Sequence, residues 1–234
     1  MKKNSLTLAL LILFSFAATL PLSLCAAESP VHLMVIEWYI ADKENIGRVT
    51  VNQIPTTDDS GTNADYKLLP FRWTVTATYW INPSNKYGFP TTAVVTAITA
   101  SAGTWDSYTS FTVFSYQGTT SLSAGKRDNY NVISWGSYRK GVIAVTYIWY
   151  SGAQILETDT RMNTLYKWSL TGETGKMDVK NIMTHELGHW CGLDDLYSDV
   201  DYWLTMYGYS KYGETYKQTL GLGDILGLEA VYGP

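Results

Sequence analysis

The chain is poor in the residues that build covalent cross-links and metal sites. Its 234 residues include only two cysteines and three histidines. Cys25 lies at the end of an apolar N-terminal segment that we expect to be removed, which leaves Cys191 alone. A single cysteine cannot form an intrachain disulfide, so the sequence excludes a disulfide-stabilised scaffold. The 18 tyrosines and 9 tryptophans instead fit a β-rich domain that packs large buried rings.

Basic residues are also scarce. Lys and Arg number 17 against 21 Asp and Glu, for a formal net charge of −4. Loss of residues 1–27 removes two lysines and no acid, which leaves 15 basic and 21 acidic residues and a charge of −6. Because phosphate binding needs a basic surface, nucleic acid is not an expected partner. The remaining length, about 207 residues, suits one domain.

Residues 1–27 have the pattern of a signal peptide. Two lysines precede an apolar run over residues 6–24, and small residues then suit cleavage after Ala27. An uncleaved anchor is the alternative, but the run is interrupted by Ser15, Thr19, Pro21 and Ser23. A lipoprotein is disfavoured because Leu24, before Cys25, is not small. We expect a monomer secreted or exported to the cell envelope, without stable membrane association after cleavage.

Residues 178–195, DVKNIMTHELGHWCGLDD, contain the pattern H-E-x-x-H. On a helix, His185 and His189 lie on one face about one turn apart, so both imidazoles can bind one zinc ion. Glu186 projects from a neighbouring edge, where it can act as a general base toward water at the metal. The alternative, a helix with two surface histidines, is disfavoured because His32 is the only other histidine.

Gly192 and Asp195 extend the motif to H-E-x-x-H-x-x-G-x-x-D. A glycine can adopt the left-handed conformation that ends a helix and reverses the chain. This reversal would bring Asp195 back toward His185 and His189 as the third ligand. Asp194 is the competing candidate, but the spacing from Gly192 favours Asp195.

These residues resemble the motif of the metzincin zinc metalloproteases, and within them the matrixins, with Asp as third ligand as in snapalysin-like members. Residues 204–208, LTMYG, resemble the methionine turn, in which Met206 would form an apolar floor under the histidines. Residues 220–233, LGLGDILGLEAVYG, resemble the last matrixin helix and its closing Tyr-Gly. The resemblance covers residues 70–233 and implies a zinc endopeptidase with one catalytic zinc ion and a protein or peptide substrate.

The predicted elements follow an α+β order. A helix at residues 90–105 carries Val94, Ile98, Ala102 and Trp105 on one face. Alternating or strongly apolar strands are predicted at residues 71–81, 111–116, 131–135, 142–150 and 154–163. This order matches the metzincin layout of a twisted mixed sheet with a backing helix and an active-site helix. A small C-terminal subdomain would follow, with the methionine turn and a final helix at residues 224–232.

Two further strands are predicted near the N-terminus, at residues 31–40 and 47–54. The polar loop at residues 55–64 suggests that residues 28–65 form an N-terminal appendage or short pro-segment. Residues 66–234 would then be the catalytic domain. A cleft between its two subdomains is expected to expose the metal.

The resemblance also implies where a substrate binds. In metzincins an edge strand above the metal helix pairs with the substrate backbone, and residues 141–147, GVIAVTY, resemble this strand. Candidate substrate-binding residues are Ile143, Ala144 and Val145, with Tyr207 and Tyr209 lining a side-chain pocket. Ordinary packing is the alternative for each. Calcium could be held by Asp199 or Asp201, although no calcium-loop pattern occurs.

Three functions fit the sequence. The first is a secreted zinc endopeptidase that hydrolyses peptide bonds with metal-activated water and Glu186 as general base. The second is a non-catalytic secreted module of the same fold that binds zinc and protein, and the third is an exported β-rich surface protein with a chance motif. Retention of Glu186 favours the enzyme, and the methionine turn and the C-terminal pattern disfavour a chance motif.

Overall fold

The structure is a computed structural model that describes residues 29–41 and 57–234. The predicted signal peptide and the predicted strand at residues 47–54 lie outside the described residues. Within the described ranges the chain forms nine strands and three α-helices in an α+β arrangement. In this part of the chain, no helix combines the length and apolar character needed to cross a bilayer.

The strands are β1 (His32–Ile40), β2 (Ala77–Ile81), β3 (Phe114–Thr119), β4 (Asn131–Gly136), β5 (Val142–Ser151), β6 (Gln154–Asn163), β7 (Trp168–Ser169), β8 (Met177–Asp178) and β9 (Tyr209–Ser210). Seven of them form one mixed sheet in the order β3-β2-β4-β6-β5-β1-β9, and β7 and β8 form a small second sheet. In the large sheet, β5 pairs antiparallel with both β6 and β1, and the other pairs are parallel. The strands predicted for β4, β5 and β6 are confirmed within one residue at each end.

Strand β1 lies inside the large sheet, between β5 and β9. Its inward-facing residues Ile36, Trp38 and Ile40 are buried in the main core. Residues 28–65, predicted as an appendage, therefore contribute a strand to the same sheet as residues 66–234. The apolar alternation of this strand explains its pairing, because one face can cover the core while its backbone completes the ladder on β5.

The helices are α1 (Thr91–Asp106), α2 (Val179–Trp190) and α3 (Leu222–Tyr232). The predicted apolar face of α1 is confirmed, since its four residues are all buried. Helix α1 packs on α2 through hydrogen bonds from Trp105 Nε1 to Thr184 O, at 2.7 Å, and from Ser101 Oγ to Lys180 O, at 3.1 Å. Helix α1 therefore packs against α2 and supports it. The predicted final helix is present as α3.

The predicted strand at residues 71–81 is only half right. Strand β2 begins at Ala77, and the preceding segment pairs elsewhere. Arg72 N donates to Ala153 O at 3.0 Å, and Ile155 N donates to Arg72 O at 2.9 Å. The alternation of residues 71–81 is real, but its first part joins the turn between β5 and β6, because tertiary partners decide where an apolar segment pairs.

Two buried carboxylates of β6 bind the loop at residues 124–130 and the start of β4. Asp159 accepts hydrogen bonds from the backbone N–H groups of Gly125, Lys126 and Val132, at 2.6–3.2 Å. Glu157 accepts from those of Asp128 and Asn129, at 2.8 and 2.7 Å. Burial raises the pKa of Asp159 to about 7, against the lowering effect of its N–H donors. The loop is therefore fixed to the sheet without a disulfide.

The cap of α2 offers a test of the fold. Asp178 Oδ1 accepts from Asn181 N at 2.9 Å and from Gln218 Nε2 at 2.7 Å, as expected for a helix N-cap. We expect Asp178→Ala to lower the free energy of unfolding by about 1–2 kcal/mol, because the buried donors lose their acceptor. Urea unfolding would measure this loss, with Asp58→Ala as an exposed control. An unchanged midpoint would contradict the role of this cap.

Candidate metal centre

Helix α2 places His185 and His189 one turn apart with their Nδ1 atoms engaged. His185 Nδ1 lies 2.7 Å from Thr205 O, and His189 Nδ1 lies 2.9 Å from Leu193 O. Because a carbonyl oxygen only accepts, each Nδ1 carries the proton and each Nε2 keeps its lone pair. The two rings are 4.8 Å apart and nearly perpendicular. Both histidines thus present a metal-binding nitrogen, oriented by the backbone as is usual for such ligands.

The chain reverses after α2 at Gly192, whose φ is +93°. This reversal brings Asp195 Oδ1 to 3.2 Å from His185 Nε2 and 3.7 Å from His189 Nε2. Asp194, the competing candidate, instead pairs with Lys67 at 2.6 Å. The cluster therefore contains Asp195, as the spacing from the glycine predicts.

His185, His189 and Asp195 could hold a metal ion. Their Nε2 and Oδ1 atoms are buried and have no hydrogen-bond partner among the described residues. Two ligand atoms that each lie about 2.1 Å from a tetrahedral ion are about 3.4 Å from each other. The distances from Asp195 Oδ1 to the two Nε2 atoms, 3.2 and 3.7 Å, lie on either side of this value. Unpartnered buried polar atoms are costly, and an ion at their centre would satisfy all three.

The charge states of these side chains suit metal binding. Burial lowers the pKa of His185 to about 4, so its imidazole is neutral. Burial would raise the pKa of Asp195, but the pKa stays below its usual value, and the hydrogen bond that Asp195 Oδ2 accepts from the Tyr197 hydroxyl contributes to this lowering. A neutral imidazole and an ionised carboxylate are the forms that bind metals.

Glu186 is fully buried beside this cluster. Its Oε2 accepts from Thr146 Oγ1 at 2.5 Å, while Oε1 has no partner among the described residues. Thr146 Oγ1 in turn lies 2.7 Å from Thr160 Oγ1, which accepts from Trp190 Nε1 at 2.9 Å. Burial raises the pKa of Glu186 to about 8, and the nearby charge of Asp195 adds to the shift. Thus one carboxylate oxygen is anchored and the other is free.

Thr146 was not predicted from sequence as a site residue. It is the only Ser, Thr or charged residue in the apolar stretch at residues 142–150, and it is fully buried. A lone hydroxyl in such a strand needs a partner, and this need is the signal that could have identified it.

The predicted methionine turn lies beneath α2. A Cβ at Gly188 would collide with Met206 Sδ and with Trp105, so Met206 packs directly on the helix between the two histidines. Asp224 of α3 accepts from Thr205 N at 2.8 Å and from Met206 N at 3.0 Å. Because Thr205 O orients His185, α3 fixes this imidazole through the turn. The sequence did not indicate this role of Asp224.

The predicted substrate strand is not an edge in this structure. Ile143, Ala144 and Val145 are fully buried in β5, which has β6 on one side and β1 on the other. The prediction placed the strand correctly above α2 but did not foresee that β1 would occupy its free edge. Sequence patterns predict strands, but they do not predict which strand pairs with which.

The two predicted pocket tyrosines lie beside β1. Tyr207 is buried, and its carbonyl accepts from Trp38 Nε1 at 3.2 Å. Tyr209 lies in β9 opposite Tyr39 of β1. Both therefore border the space that β1 occupies next to the histidines.

The expected exposed metal cleft is absent from the described part of the chain. The side chains of His185, Glu186 and His189 have no exposed surface, and Asp195 is 3 % exposed. The Trp38 ring stacks on His185 with 3.7 Å between centroids and 5° between planes. The expectation is wrong because an indole from β1 covers the imidazole.

His185, His189 and Asp195 are the only group of three or more His, Cys, Asp or Glu side chains among the described residues that could hold a metal ion. Asp201, a predicted calcium candidate, instead accepts from Asn63 Nδ2 at 3.1 Å. Cys191 is buried and free.

No protein-family model matches the chain, and comparison with curated proteins finds no match either.

Proposed function

We propose that this protein is a zinc-dependent endopeptidase of metzincin type, exported through residues 1–27. One observation carries the proposal. Four buried polar atoms have no partner among the described residues, namely His185 Nε2, His189 Nε2, Asp195 Oδ1 and Glu186 Oε1, and the first three lie within 4.8 Å of one another. Three of them are metal ligands by type, and the fourth belongs to a carboxylate that is not needed for ligation.

Zinc is the ion that this donor set fits best. Two imidazole nitrogens and one carboxylate oxygen are a common catalytic zinc set, which leaves a coordination position open. When bound, the ion supplies Lewis-acid activation of water and of a substrate carbonyl. The histidines and Asp195 hold it, and their outer contacts to Thr205 O, Leu193 O and Tyr197 orient them.

Glu186 would act as the general base and general acid of the reaction. Its unpartnered Oε1 takes a proton from the attacking water, and the same oxygen then delivers it to the leaving amine. Thr146 donates to Oε2 at 2.5 Å and so fixes the orientation of the carboxylate.

A second function remains open, that of a non-catalytic zinc-binding module of the same fold. The observation that favours it is the complete burial of His185, Glu186 and His189. A closed site suits a structural ion, although structural zinc sites usually have four protein ligands. The unpartnered Oε1 of Glu186 favours the enzyme.

The test is hydrolysis of an unfolded protein by the full chain without residues 1–27, with one zinc ion bound and after chelation. We expect slow cleavage that disappears with the metal and returns when zinc is added, because the ion activates the water. Metal content measured by atomic emission should be one ion per chain. A folded protein that binds zinc and cleaves nothing, even with the strand variants described below, would favour the non-catalytic module.

A further inference from the structure

Strand β1 occupies the position that an extended peptide would take on β5. The pairing is antiparallel and runs from His32 opposite Tyr150 to Trp38 opposite Ala144, and after a shift in register Tyr39 lies opposite Val142. Recognition of a peptide by β-addition needs a free strand edge, and here the chain's own strand satisfies that edge. Since Val145 lies opposite Glu37 and Ala144 opposite Trp38, the pairing covers two of the three predicted substrate residues.

The side chain of Trp38 fills the space beside the metal centre. Its ring is fully buried and stacks on His185, and its Nε1 donates to Tyr207 O at 3.2 Å. Lys217 Nζ lies 5.7 Å from the ring centroid. Lys217 also faces the rings of Tyr202, Tyr207 and Tyr216. The space is therefore shaped for a large flat ring with one N–H donor.

A polar contact at the surface fastens the strand next to Trp38. Glu37 accepts from Tyr138 OH at 2.5 Å and from Tyr39 OH at 2.7 Å, and it forms an ion pair with Arg139. Tyr138 and Arg139 belong to the connection between β4 and β5. Because the side chain of Arg139 is 60 % exposed, this contact can be removed without disturbing the core.

Apart from the short pairing with β9, the other pairings of the large sheet do not depend on β1. Beyond β5, the strand contacts β9 only at Tyr39 and Ile40. Its first half carries apolar side chains that stay exposed, with Leu33 at 50 % and Val35 at 42 %. Displacement of β1 would leave the order β3-β2-β4-β6-β5 intact and would free one edge of β5. Low burial at one end is the property expected of a segment that opens locally.

We propose that β1 is an inhibitory strand that holds the peptide groove, and that Trp38 fills the pocket for a large aromatic side chain of the substrate. This inference rests on the proposed function, because only a peptide-cleaving site has a groove to block. Displacement of β1 uncovers His185 and opens the pocket, and a substrate with Trp, Phe or Tyr at one position near the cleaved bond takes its place.

The experiment uses the zinc-loaded full chain without residues 1–27 and compares Glu37→Gln, Arg139→Ala and Trp38→Ala with the parent protein. Lys176→Ala is the matched control, because it removes an exposed ion pair with Glu173 far from β1 in sequence. Three quantities are measured: the rate of zinc transfer to excess chelator, the hydrogen exchange of residues 32–40 against residues 131–136, and the hydrolysis of an unfolded protein. The first two report opening of the strand without reference to activity.

We expect Glu37→Gln and Arg139→Ala to raise all three rates by about tenfold, since each loses hydrogen bonds to a charged group. Trp38→Ala should raise them further, and Lys176→Ala should change none. A synthetic peptide of residues 29–41 added in trans should inhibit the Trp38→Ala protein, and the same peptide with alanine for the tryptophan should not. The sites at which the unfolded protein is cleaved should all have an aromatic residue at the same position relative to the cleaved bond. If Trp38→Ala fails to fold, Glu37→Gln and Arg139→Ala still test whether β1 is inhibitory.

The outcomes separate the two proposals. Opening rates that stay at the parent level, together with hydrolysis that needs Glu186, overturn the inhibitory strand and leave the endopeptidase standing. Faster opening without hydrolysis by any variant overturns the endopeptidase, and the inhibitory role with it. Faster opening with faster hydrolysis supports both.

Discussion

Glu186→Gln is expected to reduce peptide hydrolysis by about 10²- to 10⁴-fold while the protein still folds and binds one metal ion. Glutamine has nearly the same shape as glutamate and can still accept from Thr146 through its carbonyl oxygen. It cannot take a proton at the position of the free Oε1. The loss should therefore fall on kcat, with little change in KM or metal content. Steady-state kinetics on the Arg139→Ala background, in which the site is expected to open, would measure it.

Thr146→Val is the matched control for this result. It removes the hydrogen bond to Oε2 but keeps the carboxylate, so we expect a smaller loss of activity than for Glu186→Gln. A residue that only positions the base should shift the pH profile of kcat, because the hydroxyl lowers the pKa of Glu186. Hydrolysis by Glu186→Gln at half the parent rate or more would rule out Glu186 as the general base.

Asp195→Asn is expected to weaken metal binding by at least about 100-fold. Loss of an outer-shell partner typically costs 10- to 100-fold, and loss of a direct ligand should cost more. The buried ligand atoms of the cluster have no partner among the described residues, so a bound ion should stabilise the fold. A ligand at 1,000 times its Kd adds about 4 kcal/mol, or roughly 8–16 °C in Tm for a domain of this size. Chelation should lower the Tm of the parent protein by this amount.

The neighbouring carboxylate supplies the control for this prediction. Asp194→Asn should keep both the metal affinity and the chelator effect, because Asp194 pairs with Lys67 at the surface instead of joining the cluster. Competition with a chromophoric chelator would give the affinities, and calorimetry would give the Tm values. Equal effects of the two substitutions would contradict the assignment of Asp195.

The sequence alone determined the local geometry of the metal centre. The spacing of His185 and His189 places both rings on one helix face, Asp178 caps that helix, and Gly192 at φ +93° returns the chain toward the ligands. These features are set by helix period and backbone sterics within about 20 residues, so they can be read from the chain order. The choice of Asp195 over Asp194 followed from the same spacing.

The sequence also predicted most strands, and it failed where pairing partners mattered. Residues 142–150 carry enough apolar, β-branched side chains to form a strand in any context, and β5 is there. Nothing in the alternation of residues 31–40 says that they pair with β5 rather than standing apart. Strand pairing depends on contacts between segments distant in sequence, which local patterns do not encode.

Tertiary structure alone decided what surrounds the site. Thr146 on β5 anchors Glu186, Asp224 on α3 fixes the turn that orients His185, and Trp38 on β1 covers the same imidazole. The three contacts join residues that are 40, 19 and 147 positions apart and lie on different elements, so neither the helix period nor the strand period could reveal them. The sequence determined which atoms can bind the ion, because ligand type and helix period are local properties. Whether those atoms are open to a substrate was decided by the packing of β1 on β5, which is a property of the whole fold.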